Sequence, residues 1–145
     1  MIAIGCDHGG FILKNMLVDH LKEKGYEIVD CGSYDGGPVD YPDIAKKVCA
    51  AVREGEAEKG ILVCGTGIGM SIAANKHKGI RAAVCSEHFS ARYTRLHNDT
   101  NVLCLGARVI GGGLACELVD IFLNTPFEGG RHQTRVDKIT EIENN

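Results

Sequence analysis

Ile61-Leu62-Val63-Cys64-Gly65-Thr66-Gly67-Ile68-Gly69 is the stretch that decides the fold. A short apolar run of this kind reads as a buried strand. It stops at a cysteine, and three glycines then alternate with Thr66 and Ile68 before a helix is expected from Met70. A thiol therefore stands at the carboxyl end of a strand, beside a loop of exposed backbone N–H groups. Such loops attract anions when they open a helix, and a thiol there gains thiolate character. A base beside an anion site is what proton abstraction next to a carbonyl requires.

Four further runs have the same character as the motif's own strand, Gly60–Cys64: Ile2–Cys6, Tyr26–Cys31, Arg81–Cys85 and Val102–Leu105. All are short, rich in Ile, Val, Ala and Leu, and mostly free of charge, which is how parallel strands covered on both faces read. The stretches between them have helical spacing: Leu13, Met16, Leu17 and Leu21, then Phe89, Tyr93 and Leu96, then Leu114, Leu118, Ile121 and Phe122. Gly25 marks the end of the first helix and Pro42 the start of the second. The residues from about 128 to 145 read as a loop and a last amphipathic helix. The expectation is a three-layer α/β/α sandwich on a Rossmann-like, five-stranded parallel sheet. Ligands would bind outside the carboxyl ends of its strands.

The 145 residues fit one domain, 1–145, with an ordinary balance of 44% hydrophobic and 24% charged residues. A net charge of −3 gives no reason to expect nucleic acid or an anionic membrane surface, and no apolar run is long enough to span a bilayer. Met1-Ile2-Ala3-Ile4-Gly5 lacks the basic start and cleavage site of a signal peptide, so a cytoplasmic location is expected. Seven cysteines with no C-x-x-C pair read as small buried hydrophobes in a reducing compartment, Cys64 excepted. Neither G-x-G-x-x-G nor G-x-x-x-x-G-K-[ST] occurs, which speaks against a nicotinamide cofactor and against an ATPase. No paired zinc-type spacing exists, so no metal and no cofactor are expected.

Other polar groups cluster at predicted strand ends. Asp7 and His8 follow the first strand, either as a helix cap with a surface histidine or as a pair that binds hydroxyls or phosphate. His97-Asn98-Asp99-Thr100-Asn101 reads as a polar loop before the last strand, and its histidine suits ring opening of a cyclic sugar by acid–base transfer. Arg131 and Arg135, four apart on one helical face, suit a phosphate or are simply solvated.

Gly5-Cys6-Asp7-His8-Gly9-Gly10, Asp40-Tyr41-Pro42, the loop from Cys64 to Gly69 with Ser71-Ile72-Ala73-Ala74-Asn75-Lys76, Arg95-Leu96-His97-Asn98-Asp99, and Glu128-Gly129-Gly130-Arg131-His132-Gln133-Thr134-Arg135 occur in this order. On these blocks the chain resembles, over nearly its full length, the family that ribose-5-phosphate isomerase B shares with the galactose-6-phosphate isomerase subunits. The resemblance implies a metal-free aldose–ketose isomerase working through an enediolate. It implies Cys64 as the base, with Thr66 and the N–H groups of Gly65, Gly67 and Gly69 on the enediolate oxygen. It also implies that His97 opens the ring, helped by Tyr41, that Asp7 and Asn98 hold sugar hydroxyls, and that His8, Arg131 and Arg135 bind phosphate. Arg108 would reach the phosphate in a neighbouring subunit's site, and the family's dimers or tetramers build their sites across the dimer interface. Some members carry a glutamate base directly after the last loop glycine. Here that residue is Met70, so the thiolate branch is expected. The rival readings are the same chemistry on allose 6-phosphate or galactose 6-phosphate, with Met70 and the loop 33–39 setting pocket length, and a non-catalytic sugar-phosphate-binding partner subunit. A thiol-redox role for Cys64 lacks a resolving cysteine in the local sequence.

Overall fold

The computed structural model describes residues 1–145. Five strands, β1 (Ile2–Cys6), β2 (Ile28–Asp30), β3 (Lys59–Cys64), β4 (Ala82–Val84) and β5 (Val102–Gly106), form one all-parallel sheet in the order β2-β1-β3-β5-β4. The helices are α1 (Phe11–Glu23), α2 (Tyr41–Arg53), α3 (Ile68–Ala74), α4 (His88–Asn98), α5 (Gly112–Asn124) and α6 (Arg131–Glu143). The α/β class and all five expected strands are present, the edge strands β2 and β4 shorter than the apolar runs suggested. Helix α3 starts two residues earlier than expected, at Ile68.

Apart from Lys59 at the start of β3, the three central strands are buried throughout because both faces are covered. Side chains alternate between two cores with the strand period. Ile2, Ile4, Cys6, Ile61, Val63, Leu103 and Leu105 meet α1, α4 and α5 on one side. Ala3, Leu62, Cys64, Val102 and Cys104 meet α2 and α3 on the other. Met70 is fully buried in this second core with Cys64, so it is a packing residue beneath the loop.

One expected stripe faces outward. Phe89 is 68% exposed, and the buried residues of α4 are Ala91, Thr94 and Arg95. Arg95 can point inward because Thr125, Asp99 and Thr100 accept its N–H groups. A satisfied guanidinium thus displaces the apolar residues from the inner face, which spacing alone does not reveal.

Lys14 is the other buried cation. It is 1% exposed, and its Nζ donates to Asp30 Oδ2 at 2.9 Å, tying α1 to β2. Removing one partner of a buried pair strands the other charge. Lys14→Ala is therefore expected to lower unfolding free energy by about 3 kcal/mol, the low end of the range because Asp30 keeps some water. Urea denaturation beside Lys22→Ala, an exposed control on the same helix, checks this.

Candidate functional site

The strand order turns outward in both directions from β1 and β3, so the loops that leave their carboxyl ends diverge and open a crevice. Main-chain bonds lace these ends together. Asp7 N–H donates to the Val63 carbonyl at 3.2 Å, Ala107 N–H to Cys64 at 2.9 Å and Arg108 N–H to Gly65 at 3.0 Å.

Glycines permit this closeness. A Cβ on Gly10 would stand 2.5 Å from the Val63 carbonyl oxygen, and one on Gly106 would stand 2.6 Å from that of Thr66. Gly67 adopts φ +80°, the left-handed conformation that lets the chain turn from β3 into α3. That turn aims the Gly67 N–H at Cys64 Sγ, 3.1 Å away. The thiol is thus a nearly buried group with a backbone donor fixed on its sulfur. Burial pushes the pKa of the other six thiols up, Cys49 and Cys85 to about 11.

Around this thiol the structure gathers one set of the expected residues. Asp7 caps the short 3-10 turn His8–Gly10 by accepting the Gly10 N–H at 3.2 Å, and Gly9 rests against Gly65. Asp7 therefore serves as a cap and also borders the crevice. His8 is exposed beside it. Thr66 is exposed, and its Oγ1 accepts the Ile68 N–H at 3.2 Å. The Tyr41 ring, at the start of α2, lies so close to Gly69 that a Cβ there would meet its Cε1 at 2.7 Å. Arg108, expected to reach toward a neighbouring subunit, lies along Gly65 of its own chain, with Cδ 3.6 Å from where a Cβ would be.

The remaining expected residues are elsewhere. His97 and Asn98 are not in a loop; they form the last turn of α4. That helix runs back from the carboxyl edge, and the Asn98 carbonyl accepts Arg81 Nε, just before β4, at 2.9 Å. They therefore lie toward the amino end of the sheet. Neighbouring Asp99 takes φ +47° and binds both Arg81 and Arg95, a structural role. Arg131 and Arg135 are exposed on α6, and Arg135 donates to the Arg131 carbonyl at 2.7 Å. Within one chain the thiol and the histidine expected to open the ring do not meet.

His97 has neighbours that sequence spacing did not single out. Its ring stacks on His132 with centroids 4.0 Å apart and planes 13° apart, and meets the Tyr93 edge at 5.0 Å. Glu128 Oε2 lies 3.5 Å from His97 Nε2 and 3.1 Å from His132 Nε2. Burial first, then neighbouring His97 and Arg131, hold His132 below the usual histidine range. The i, i+4, i+8 spacing of Phe89, Tyr93 and His97 was the available signal. Ligand atoms of His97, Glu128 and His132 lie within 4.8 Å of one another, as a metal site would need. Near-parallel rings, however, cannot both aim a nitrogen lone pair at one ion without rotating, and Arg131 and Arg135 add positive charge nearby. The largest concavity, about 710 Å³, lies between the α3–β4 turn and α6, lined by Lys76, Lys78, Arg81, Ile139 and Ile142, and takes in none of the thiol loop.

The fold and site define an α/β protein with a thiol and a glycine loop at the switch point of a parallel sheet. Residues 2–139 match the family model described as Ribose/Galactose Isomerase, and the chain belongs to that family. It is 57% identical over 142 residues to ribose-5-phosphate isomerase B of Escherichia coli strain K12, covering 98% of this chain and 95% of the relative. The solved structure of Clostridium thermocellum ribose-5-phosphate isomerase B superposes with a TM-score of 0.97 at 55% identity, covering 99% of this chain and 97% of that one. The ribose 5-phosphate isomerase structure from Thermotoga maritima gives a TM-score of 0.95 at 53% identity, with 97% of each chain covered.

The contact between Gly106 and Thr66 offers a direct test of the loop's geometry. Gly106→Ala is expected to cost about 2 kcal/mol by overpacking and, by moving the Thr66 peptide, to reduce isomerase turnover at least about tenfold. Gly111→Ala, where nothing lies within 4 Å, should leave both unchanged. Calorimetry and a sugar-phosphate isomerase assay on the two variants make the check.

Proposed function

We propose that this chain interconverts ribose 5-phosphate and ribulose 5-phosphate, with Cys64 as the base and residues 1–145 acting as one isomerase domain. The observation that carries the reading is the Gly67 N–H fixed 3.1 Å from Cys64 Sγ at the sheet's switch point. A donor held there stabilises negative charge on sulfur in every resting molecule, with no reorganisation at the moment of reaction.

The chemistry takes three steps. Opening the furanose breaks the C1–O4 bond, puts a proton on O4 and takes one from O1; His97, aided by Tyr41, carries these protons. Cys64 thiolate then removes the C2 proton of the open aldose, giving a 1,2-enediolate. Thr66 and the N–H groups of Gly65 and Gly69 face the developing oxyanion, while the Gly67 N–H, expected on that oxygen, is held on the sulfur. The hydroxyl proton then passes from O2 to O1, and reprotonation at C1 by the same thiol gives the ketose and restores the thiolate. Asp7 and Asn98 hold sugar hydroxyls, while His8, Arg108, Arg131 and Arg135 hold the phosphate, for which guanidinium forks are suited.

His97, Asn98, Arg131 and Arg135 lie away from Cys64 in one chain, so the reading requires a second copy. Supporting this, Ile68, Ile72, Val84 and Phe89 are exposed on α3, β4 and α4, an apolar strip beside the thiol loop of the kind that pairs proteins. A two-fold pairing across it would set the partner's histidine end over the thiol loop, twice.

Cys64→Ala is expected to abolish turnover of ribose 5-phosphate, by at least about a thousandfold, while folding and phosphate binding persist. His97→Asn should also be inactive on the cyclic sugar. When the two variants are co-expressed, half the dimers pair one of each, and one of their two sites is intact. About a quarter of wild-type activity should return. Absence of any recovery would place both residues in one chain's site, and near-normal turnover by Cys64→Ala would remove the base assignment. Activity confined to allose 6-phosphate or galactose 6-phosphate would keep the chemistry and change the substrate.

A further inference from the structure

Glu128 has no place in the mechanism above, yet its backbone is tied to the end of the helix that carries His97. Its backbone N–H donates at 3.0 Å to the carbonyl of Leu96, the residue just before His97. Carbonyls in a helix's last turn lack intrahelical partners, so this bond pins the loop that leads into α6 onto the end of α4. Gly129 and Gly130 follow with φ +70° and +57°. Those turns start α6 at Arg131 and bring His132 beneath His97.

The outcome is one carboxylate facing two imidazoles. Oε2 lies 3.1 Å from His132 Nε2 and 3.5 Å from His97 Nε2, with the rings stacked and the Tyr93 edge closing the other side of His97. The remaining charges nearby are Arg131 and Arg135. A carboxylate hydrogen-bonded to one ring nitrogen of a histidine fixes which tautomer is present and how the ring is turned; here Glu128 stands at ion-pair distance from both rings, one small rotation short of such a bond. With the proton of His97 on Nε2, toward Glu128, Nδ1 is left free to exchange protons with a sugar.

Resting on the proposal that His97 opens the ring, we infer that Glu128 is a positioning residue for that step, orienting the His97 imidazole from the side opposite the substrate with His132 as the second arm of its grip. The 3.5 Å separation shortens with a small rotation of an exposed side chain, as acid–base contacts do when substrate arrives.

The test separates ring opening from enolisation. Ribulose 5-phosphate cannot close a furanose ring, since its C5 oxygen carries the phosphate. Exchange of its C1 hydrogen with D₂O therefore reports the Cys64 step alone. In Glu128→Gln, kcat from ribose 5-phosphate is expected to fall on the order of tenfold, with KM within about twofold and C1 exchange as in the wild type. Glu128→Asp, which keeps the charge, should recover part of the loss, and His97→Asn should lose more than either. An unchanged kcat in Glu128→Gln beside an inactive His97→Asn overturns the inference and leaves the isomerase reading standing. So does a change confined to KM, an equal loss of exchange and turnover, or a Glu128→Asp no better than Glu128→Gln. Full turnover by His97→Asn overturns instead the role of His97 on which the inference rests.

Discussion

The close approach of the β3 and β5 loops is the constraint on which the thiol site depends. Two adjacent parallel strands end level in register, Cys64 opposite Gly106, and the chain beyond Cys64 must turn at once to enter α3. It can do so because the Thr66 peptide lies flat on Gly106, where any side chain would collide with it. With that peptide in place, Gly67 takes its left-handed conformation and its N–H falls on Cys64 Sγ. The donor to the sulfur is therefore a consequence of backbone packing between buried strands, and it is as rigid as the sheet. Preorganisation of this kind costs nothing during a reaction, because the folding energy of the sheet has already set it.

The sheet and the thiol loop were legible in sequence for a reason that does not extend to the rest. Strands covered on both faces must be apolar along their length, so Ile2–Cys6, the run to Cys64 and Val102–Leu105 announce themselves. A glycine loop at such a strand end is local, and its parts are contiguous in the chain. The outward turn of Phe89, Tyr93 and Leu96 was not legible, because the inner face of α4 is held by Arg95 through bonds to Thr125, Asp99 and Thr100. Two of those partners lie in the turn after the helix and one after α5, so no periodicity within α4 encodes the choice. The helical state of His97 is hidden from the sequence for a related reason: Asp99 ends the helix by taking a left-handed conformation that is glycine's by default, and its side chain is held there by Arg81 and Arg95.

The division of polar residues between the two ends of the sheet follows from connectivity. In a parallel sheet each helix carries the chain back to the amino edge, so a residue at a strand's carboxyl end and one at the following helix's carboxyl end are necessarily apart. Cys64, Asp7, Tyr41 and Arg108 belong to the first kind. His97 and Asn98 belong to the second, and Arg131 and Arg135 join them through α6. On the function proposed above, a base and a ring-opening acid placed in this way would serve one sugar only across a contact between copies. The apolar strip of Ile68, Ile72, Val84 and Phe89, lying beside the thiol loop, is the surface such a contact would bury. Exposed aliphatic residues at i and i+4 on α3 have no partner within the chain, and a lone subunit gains nothing by leaving them in water.

Seven cysteines in one small chain show how far position outweighs residue type. Cys104 sits in β5 on the same face of the sheet as Cys64, in the neighbouring strand and the same core. It is inside the strand, where its surroundings are aliphatic, and burial drives its thiol well up. Cys49 and Cys85 are held near 11 for the same reason. Burial penalises the charged form of any thiol; Cys64 is set apart by its place at the mouth of the glycine loop, with the Gly67 N–H directed at its sulfur. The strand's last position is where such a donor is available, because the ladder of strand hydrogen bonds ends there and the next N–H groups have no strand partner to satisfy. A thiol two residues earlier would meet only side chains, and two residues later it would stand in water without the sheet behind it. The same geometric argument that makes strand ends the site of ligand binding in open α/β sheets thus favours the two strand-end thiols, Cys6 and Cys64, and of these Cys64 is the one whose own glycine loop turns an N–H onto its sulfur.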